Sequence, residues 1–587
     1  MRRTKIVCTL GPASNTKEKI KELIENGMDA ARINFSHGDY DSHGQTINNL
    51  KEAREELNAP IPLILDTKGP EIRIKKFAKS KVYLESGSTF TLTTRDVEGD
   101  GNIVGVTYKD LPKDLKKGSR VLLDDGLLEL KVTGLSETDV ECEVINGGFL
   151  SSNKGVNIPD VYVNLPSLTE RDIEDIKFGV KMGFDYIAAS FIRSAKDVLK
   201  IRRVLEENGG GDIFIIAKIE NREGVNNIDE ILAVSDGIMV ARGDLGVEIP
   251  IEEVPLVQKE LIKKANAVCK PVITATQMLE SMASNPRPTR AEANDVANAI
   301  FDGSDAIMLS GETASGKYPV ESVSTMARIA VTTEGSINYI KRLHQQFYPE
   351  QTNITNAISY AACTTAAELK TACISTVTKS GFTARMISKF KPTCPIAASS
   401  FNERVWRQLN LVWGCRPVLL ERILDDGKVF ELAMETAVKS GLAVNGDTVV
   451  IAVGVPVGVS GSTNTMRVEI VGDVICKGTG IGGKSASGQA TVIKVIDEAL
   501  KKFKKGDVLV TPYTTNDLLP FAKQASAIVV GPMDQVEGSH AEIIAHALDV
   551  PVVICNSCVT DLIKNGTFIS VDAEKGFVYA GMPKDMQ

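Results

Sequence analysis

Glu220 and Asp244 stand in the contexts KIEN and ARGDLG, each closing an apolar run, with no His or Cys close by. Two carboxylates without a softer ligand suit a hard, oxygen-preferring cation such as Mg2+ or Mn2+. The bland alternative is a pair of loop acids neutralised by Arg222 or Arg242. Lys218 lies two residues before Glu220, so on an extended strand both side chains leave the same face. With Arg32 at the end of a nearby strand, this lysine and carboxylate pair puts positive charge where a phosphoryl group in transit carries negative charge on its equatorial oxygens.

Such a cluster needs a frame that gathers strand ends, and the first 345 residues repeat one theme. A short apolar run ends in polar or Gly-rich residues, and an amphipathic stretch comes next. The runs fall at 5–10, 30–35, 61–65, 186–191, 213–219, 237–240, 271–276 and 306–310. Strands alternating with helices predict parallel pairing, and eight units is the number that closes a (β/α)8 barrel. In such barrels the site lies at the C-terminal strand ends. Those ends carry Asn34, Ser36, Asp66, Lys218, Glu220, Arg242, Asp244, Thr276, Ser310 and Glu312. Any one of them reads as an ordinary loop residue; their accumulation is what points to a site.

The expected fold class is α/β: a TIM barrel over 1–69 and 169–345, interrupted by an inserted small β domain over 70–168. That insert is rich in Val, Thr and Gly, with a turn signal about every ten residues, and at a barrel mouth it would serve as a lid. Residues 346–473 read as a separate α/β domain and 474–587 as a further α/β extension. The chain has 587 residues, 43% hydrophobic and 24% charged, with 67 basic against 75 acidic residues, a net charge of −8. That balance fits a soluble globular protein and argues against a dedicated nucleic-acid binder. The start is too short in apolar residues for a signal peptide, and no run approaches the roughly 18 that span a bilayer. Ten scattered cysteines read as reduced thiols of a cytoplasmic protein.

The segments ARINFSHG, LDTKGPEIR, KGVNIP, AKIEN, ARGDLG, TATQMLESM and SGETASGKYP, in this order, resemble the motifs of the pyruvate kinase family across residues 1 to about 473. The resemblance implies transfer of a phosphoryl group from phosphoenolpyruvate to ADP, giving pyruvate and ATP in the last step of glycolysis. It implies that Arg32 binds the phosphoryl group and that Lys218 stabilises it and the developing enolate. Glu220 and Asp244 would hold the divalent ion. The Gly243 and Asp244 amides and the Thr276 hydroxyl would hold the substrate carboxylate. Thr276, with Ser310 and Glu312 through water, is the implied proton route. Asn34, Phe35, Ser36, His37, Arg73 and Lys154 match nucleotide-contacting positions, and Asn34, Ser36, Asp66 and Thr67 match K+ ligands. The resemblance also implies a homotetramer and a phosphorylated allosteric effector held by Thr378, Lys379, Ser380, Gly381 and Thr383, a hydroxyl-rich turn before a helix. An ordinary capped helix start would read the same way.

Three further segments have simpler readings. Residues 478–485, GTGIGGKS, match the P-loop pattern, but the residues behind them do not open a helix, so a flexible Gly-rich linker and turn is expected. His540, in GSHAEIIA, resembles the phosphohistidine of phosphoenolpyruvate-utilising mobile domains. Gln535, Val536 and Gly538 depart from that motif's usual residues, so a structural or assembly role is expected for the extension. Cys555 and Cys558 form a single CxxC, expected as plain thiols rather than a zinc site. Two other functional classes remain open: a metal-dependent aldolase acting on pyruvate, and a catalytically silent metabolite sensor. Glu71 bears on the cation requirement, because family members with an acid there tend to need K+ and those with Lys do not. The expected outcome is K+-dependent turnover that Glu71→Lys relaxes; full wild-type activity without any monovalent cation overturns it.

Overall fold

The computed structural model describes residues 1–159, 161–345, 353–421, 428–444, 447–456, 463–472, 474–495, 503–533 and 535–581. The domain boundaries expected at 346 and 473 lie outside the described residues. The chain divides into two compact units. One comprises Met1–Ala367, Thr376–Val429 and Ala452–Thr465; the other comprises Glu368–Ser375, Phe430–Ile451 and Met466–Gln587.

In the first unit eight parallel strands close a barrel: Lys5–Leu10, Ala30–Asn34, Leu63–Asp66, Tyr186–Ala189, Phe214–Ile219, Gly237–Ala241, Val272–Ala275 and Ala306–Leu309. The first strand pairs with both the second and the eighth, which completes the ring. Strands of a parallel barrel are covered on both faces, so they read as unbroken apolar runs; every residue of Lys5–Leu10 is buried. Side chains still alternate along each strand. Ile6, Cys8 and Leu10 join the outer core under the helices. Val7, with Ile64, Met239 and Met308, fills the interior. Helix boundaries follow local chemistry: Thr169 and Asp172 form a capping box before Glu170–Met182, and Gly183, at φ 72°, ends that helix in the left-handed conformation.

The inserted segment folds as expected into β structure. A six-stranded sheet and the two-stranded ribbon of Lys81–Leu84 with Gly148–Ser151 enclose their own core around Phe90, Leu130 and Cys142. Residues beyond 376 in the same unit seal the N-terminal end of the barrel. Asp185, just before the fourth strand, accepts Arg407 Nε at 3.0 Å and the Leu63 amide at 2.9 Å. Asp305, just before the eighth, pairs with the buried Lys391. Tyr186 donates its hydroxyl to the Gln408 carbonyl at 2.8 Å.

The second unit contains a closed seven-stranded barrel, with Val474–Ile481, Ser485–Val492, Val508–Thr511, Ala527–Val530, Val552–Cys555, Phe568–Asp572 and Phe577–Ala580. Its pairing is mixed, three pairs parallel and four antiparallel. Here the P-loop-like segment departs from the flexible linker expected of it. Gly478 and Gly480 lie inside a strand, where an added Cβ would meet the Ile554 carbonyl oxygen at 2.0 Å and that of Ala573 at 1.9 Å. These glycines answer to close backbone approach. Only Gly482 and Gly483, both at positive φ, make the turn, and it leads into a second strand instead of a helix, so no phosphate cradle forms.

Asp185 is fully buried, and burial raises its carboxyl pKa against the pull of Arg407. Asp185→Ala would leave the buried Arg407 with only its 3.5 Å contact to the exposed Glu403, a loss of about 3–5 kcal/mol. We expect a large drop in urea midpoint for that variant. Arg203→Ala, which removes an exposed pair with Glu207, should shift stability by less than about 0.5 kcal/mol.

Candidate active site

The strand ends converge on Asp66, the last residue of the third strand. Its Oδ2 accepts Arg32 Nε at 2.6 Å and its Oδ1 accepts Lys218 Nζ at 3.0 Å. Burial alone would raise the Asp66 pKa, but Arg32 and Lys218 hold it below the usual carboxylate range. Register makes this meeting possible, since Arg32 pairs with Ile64 and Asn34 with Asp66 across neighbouring strands. Arg32 also donates to Thr9 Oγ1 at 2.9 Å and reaches Ser310 Oγ at 3.4 Å.

Lys218 is held from three sides. Besides Asp66 it lies 2.8 Å from Ser190 Oγ and 2.9 Å from Glu220 Oε1. Burial favours the neutral amine, yet the Asp66 and Glu220 carboxylates raise its pKa above the ordinary lysine value, so it stays an ammonium. Glu220 Oε2 accepts the Phe191 amide at 2.5 Å. Its Oε1 is buried with the Lys218 ammonium 2.9 Å away as its ion-pair partner. Burial also raises the Glu220 carboxyl pKa, with Lys218 opposing and Asp244 adding to the rise. The pKa of Asp244 is likewise raised by burial, partly offset by Lys218. Two buried acids disfavoured as anions by burial and by neighbouring carboxylates fit a hard divalent cation. Among the described residues no group of three or more His, Cys, Asp or Glu comes together, so these two carboxylates would leave coordination positions to substrate oxygens and water.

The residues expected to hold K+ carry oxygen donors, and strand register sets Asn34 beside Asp66. Asn34 Oδ1 accepts the Ser36 amide at 3.0 Å, and the Thr67 carbonyl accepts Ser190 Oγ at 2.6 Å. Each of these acceptors keeps a second lone pair, a set suited to a weakly hydrated monovalent ion. Glu71 is paired with Arg73 at 2.7 Å.

The sixth and seventh strand ends meet through Thr276, whose Oγ1 accepts the Gly243 amide at 2.8 Å. Thr276 has φ 68° and Gln277 φ 54°, strained values for non-glycine residues, especially a β-branched one. Arg242 holds this bend by donating to the Thr276 carbonyl at 2.7 Å and to Asp295 at 2.7 Å. Glu312 links two of the strand ends. Its two oxygens accept the Leu279 amide at 3.0 Å and the Ser310 amide at 2.7 Å, which makes it a clamp between the seventh and eighth strand ends.

A cleft of about 480 Å3 is lined by residues of the insert and the barrel mouth, among them Glu71, Arg73, Lys154, Phe191 and Asp244. Lys154 pairs with Asp124 at 2.8 Å, and Asn157 donates to Glu248 at 2.8 Å. Of the nucleotide set, Arg73 and Lys154 line this cleft, while Asn34, Ser36 and His37 do not. Phe35 needs correction: its ring is 1% exposed and packs with Tyr40, His43, Phe178 and Phe184, so its side chain belongs to the core. In the candidate effector turn Lys379 is exposed, but Thr378 is buried and Thr383 Oγ1 is 2.9 Å from Thr463 Oγ1 inside the fold, which withdraws two of the five expected residues from solvent. His540 has Thr514 Oγ1 and Asn516 Oδ1 each 3.1 Å from a ring nitrogen.

Sequence reasoning missed Ser190 and Phe191. Their signal was a gap: the fourth strand supplied no polar end residue to the expected set, and Ser190 comes directly after its last residue.

These features define a phosphotransferase built on an α/β barrel. Comparison with known proteins resolves the family. The pattern for "Pyruvate kinase, barrel domain" matches residues 1–323, "Pyruvate kinase, alpha/beta domain" 356–469, and "PEP-utilising enzyme, mobile domain" 503–576. Pyruvate kinase of Geobacillus stearothermophilus is 50% identical over 585 residues, 99% of each chain. That of Clostridium acetobutylicum is 51% identical over 472 residues, 80% of this chain and all of that one. The crystal structure of a pyruvate kinase from Cryptosporidium parvum matches with a TM-score of 0.76 at 39% identity, covering 80% of this chain and 96% of that chain. The chain belongs to the pyruvate kinase family. No described helix is long and apolar enough to cross a membrane.

Glu312→Gln replaces one acceptor oxygen with an NH2 group and leaves a buried amide unsatisfied. We expect a stability loss of about 1–3 kcal/mol, read as a lower denaturant midpoint. A midpoint equal to wild type with altered turnover would leave only the proton-route reading.

Proposed function

We propose that the enzyme transfers the phosphoryl group of phosphoenolpyruvate to ADP, with Mg2+ or Mn2+ and K+ as cofactors. The observation that carries this is Lys218, kept charged inside the barrel mouth between Asp66 and Glu220, with Arg32 on the other oxygen of Asp66. Two cations on one buried carboxylate place fixed positive charge where phosphoryl oxygens pass. Arg32 binds the phosphoryl group. Lys218 stabilises it in transit and then faces the enolate oxygen left behind.

Glu220 and Asp244 hold the divalent ion, which supplies charge neutralisation and orientation for phosphate and enolate oxygens. Asn34, Ser36, Asp66 and Thr67 hold the monovalent one. The Gly243 and Asp244 amides and the Thr276 hydroxyl take the substrate carboxylate, which would displace the Gly243 amide from Thr276 Oγ1 and the Thr276 hydroxyl from the Ala275 carbonyl. Thr276, with Ser310 and Glu312 through water, delivers the proton that turns enolpyruvate into pyruvate, and the two backbone amides on Glu312 keep both loops in place. Arg73 and Lys154 bring charge from the insert to the nucleotide phosphates as the cleft closes and excludes water. Asn34, Ser36 and His37 contact the nucleotide from the barrel side. Lys379, exposed beside Ser380 and the left-handed Gly381, is the side chain that would meet a phosphorylated effector. The active form is a homotetramer.

The test is pyruvate release from phosphoenolpyruvate, ADP and Mg2+, with K+ present or replaced by tetramethylammonium. Turnover that requires ADP and collapses without K+ is the expected result; pyruvate formation without ADP would point to a different barrel enzyme. Lys218→Met should lower kcat by about 10²–10³-fold, with a smaller change in phosphoenolpyruvate KM.

A further inference from the structure

The Sγ atoms of Cys476 and Cys555 lie 3.3 Å apart in the C-terminal barrel. Cys476 is on the strand Val474–Ile481 and Cys555 ends Val552–Cys555. These strands are antiparallel neighbours with Gly478 opposite Cys555. Cys476 is two positions from Gly478, so it shares the face of Cys555 one diagonal step away, within reach of a side-chain contact. Both thiols point into the same apolar core, at 4% and 0% exposure. The pairing of the Cys476 strand with Phe577–Ala580 shifts register between Val474 and Cys476, a local irregularity that re-aims side chains. The 3.3 Å between the sulfurs must close to about 2.05 Å in a disulfide, and at a diagonal position, where Cα atoms stand about 7–8 Å apart, closure draws the two strands together.

A buried pair needs an entry for the oxidant, and the same segment provides one. Cys558 lies three residues after Cys555 and is exposed, whereas the other nine cysteines are buried or half-buried. Its sulfur lies 3.6 Å from the Thr560 hydroxyl.

We propose that Cys476 and Cys555 form a reversible disulfide site, loaded through Cys558 by a small-molecule disulfide. The Cys558 thiolate attacks one sulfur of the small disulfide RSSR and expels RS−. The Cys555 thiolate then attacks the Cys558 sulfur of the mixed disulfide and expels the second RS−. Cys476 attacks the Cys555 sulfur, and Cys558 leaves as a thiolate. The net change oxidises two protein thiols to one disulfide and reduces RSSR to two RSH, the two thiol protons ending on the two RS− groups. The bond joins strands whose cysteines are 79 residues apart in sequence, so it constrains the unfolded chain more than the folded barrel. Nothing in this step depends on the phosphotransfer chemistry, so the two readings stand or fall separately.

The experiment incubates the full-length protein with oxidised glutathione, counts free thiols after denaturation, and maps linked peptides by mass spectrometry. The expected result is a Cys476–Cys555 linkage with loss of two thiols, reversed by dithiothreitol, and a higher urea midpoint for the unfolding of the C-terminal barrel. Cys558→Ser, a surface change that spares the core, should slow its formation about tenfold or more. Cys476→Ala should instead accumulate a Cys555–Cys558 linkage. Glutathione held on Cys558 with Cys476 and Cys555 both free overturns the proposal, and so does linkage at the wild-type rate without Cys558.

Discussion

A buried carboxylate that must neutralise two cations sets the terms for the rest of the barrel mouth. Asp66 is nearly inaccessible to solvent, and Arg32 and Lys218 both end on it. An unpaired charge in such a place is costly, and so is a half-satisfied network. The surrounding structure meets that demand through Ser190, Glu220 and the backbone. Ser190 ties Lys218 to the Thr67 carbonyl, and the amide of Phe191, a residue at φ 55°, fixes Glu220. Strain at Phe191, Thr276 and Gln277 is concentrated where the site needs backbone groups to point inward.

The opposite end of the barrel solves a different problem with similar chemistry. Asp185 and Asp305 precede strands on the N-terminal side and take Arg407 and Lys391 from the later part of the chain. These pairs are buried and complete. They lock one end of the barrel and leave the carboxylates of Glu220 and Asp244, whose pKa values burial raises, at the other. That asymmetry matches the division between a stability face and a chemical face in barrels of this kind. The insert contributes Arg73 and Lys154 from its own independently cored body, so cations for a second substrate can be carried on an element separate from the rigid barrel.

The two glycine-bearing segments behave differently for a shared reason. Near Thr276, the Gly243 amide approaches a hydroxyl that can serve a ligand. In the C-terminal barrel, Gly478 and Gly480 let neighbouring backbones come within contact distance. A glycine pattern records only that close approach is required. Whether the approaching group is a ligand or another strand depends on the element that the loop leads into, a helix or a strand.

Periodicity and order along the chain were sufficient to read eight strands, the inserted β segment, and the carboxylate pair with Lys218, because parallel strands and their ends leave a local imprint. Motif resemblance identified the residues at those ends. Contacts between residues distant in sequence left no such imprint. Asp66 carried a polar strand-end signal, but its double pairing with Arg32 and Lys218 depends on cross-strand register. Ser190 was invisible because a serine after an apolar run has no distinctive chemistry until Lys218 lies beside it. The backbone amides that Glu312 accepts from two loops left no sequence signal, and neither did the aromatic core that takes up the Phe35 ring. Sequence determined which residues end the strands and what they can do as isolated groups. Only the tertiary structure decided which of those groups are already satisfied by the protein, because burial and partnership are set by strand register and by segments hundreds of residues away.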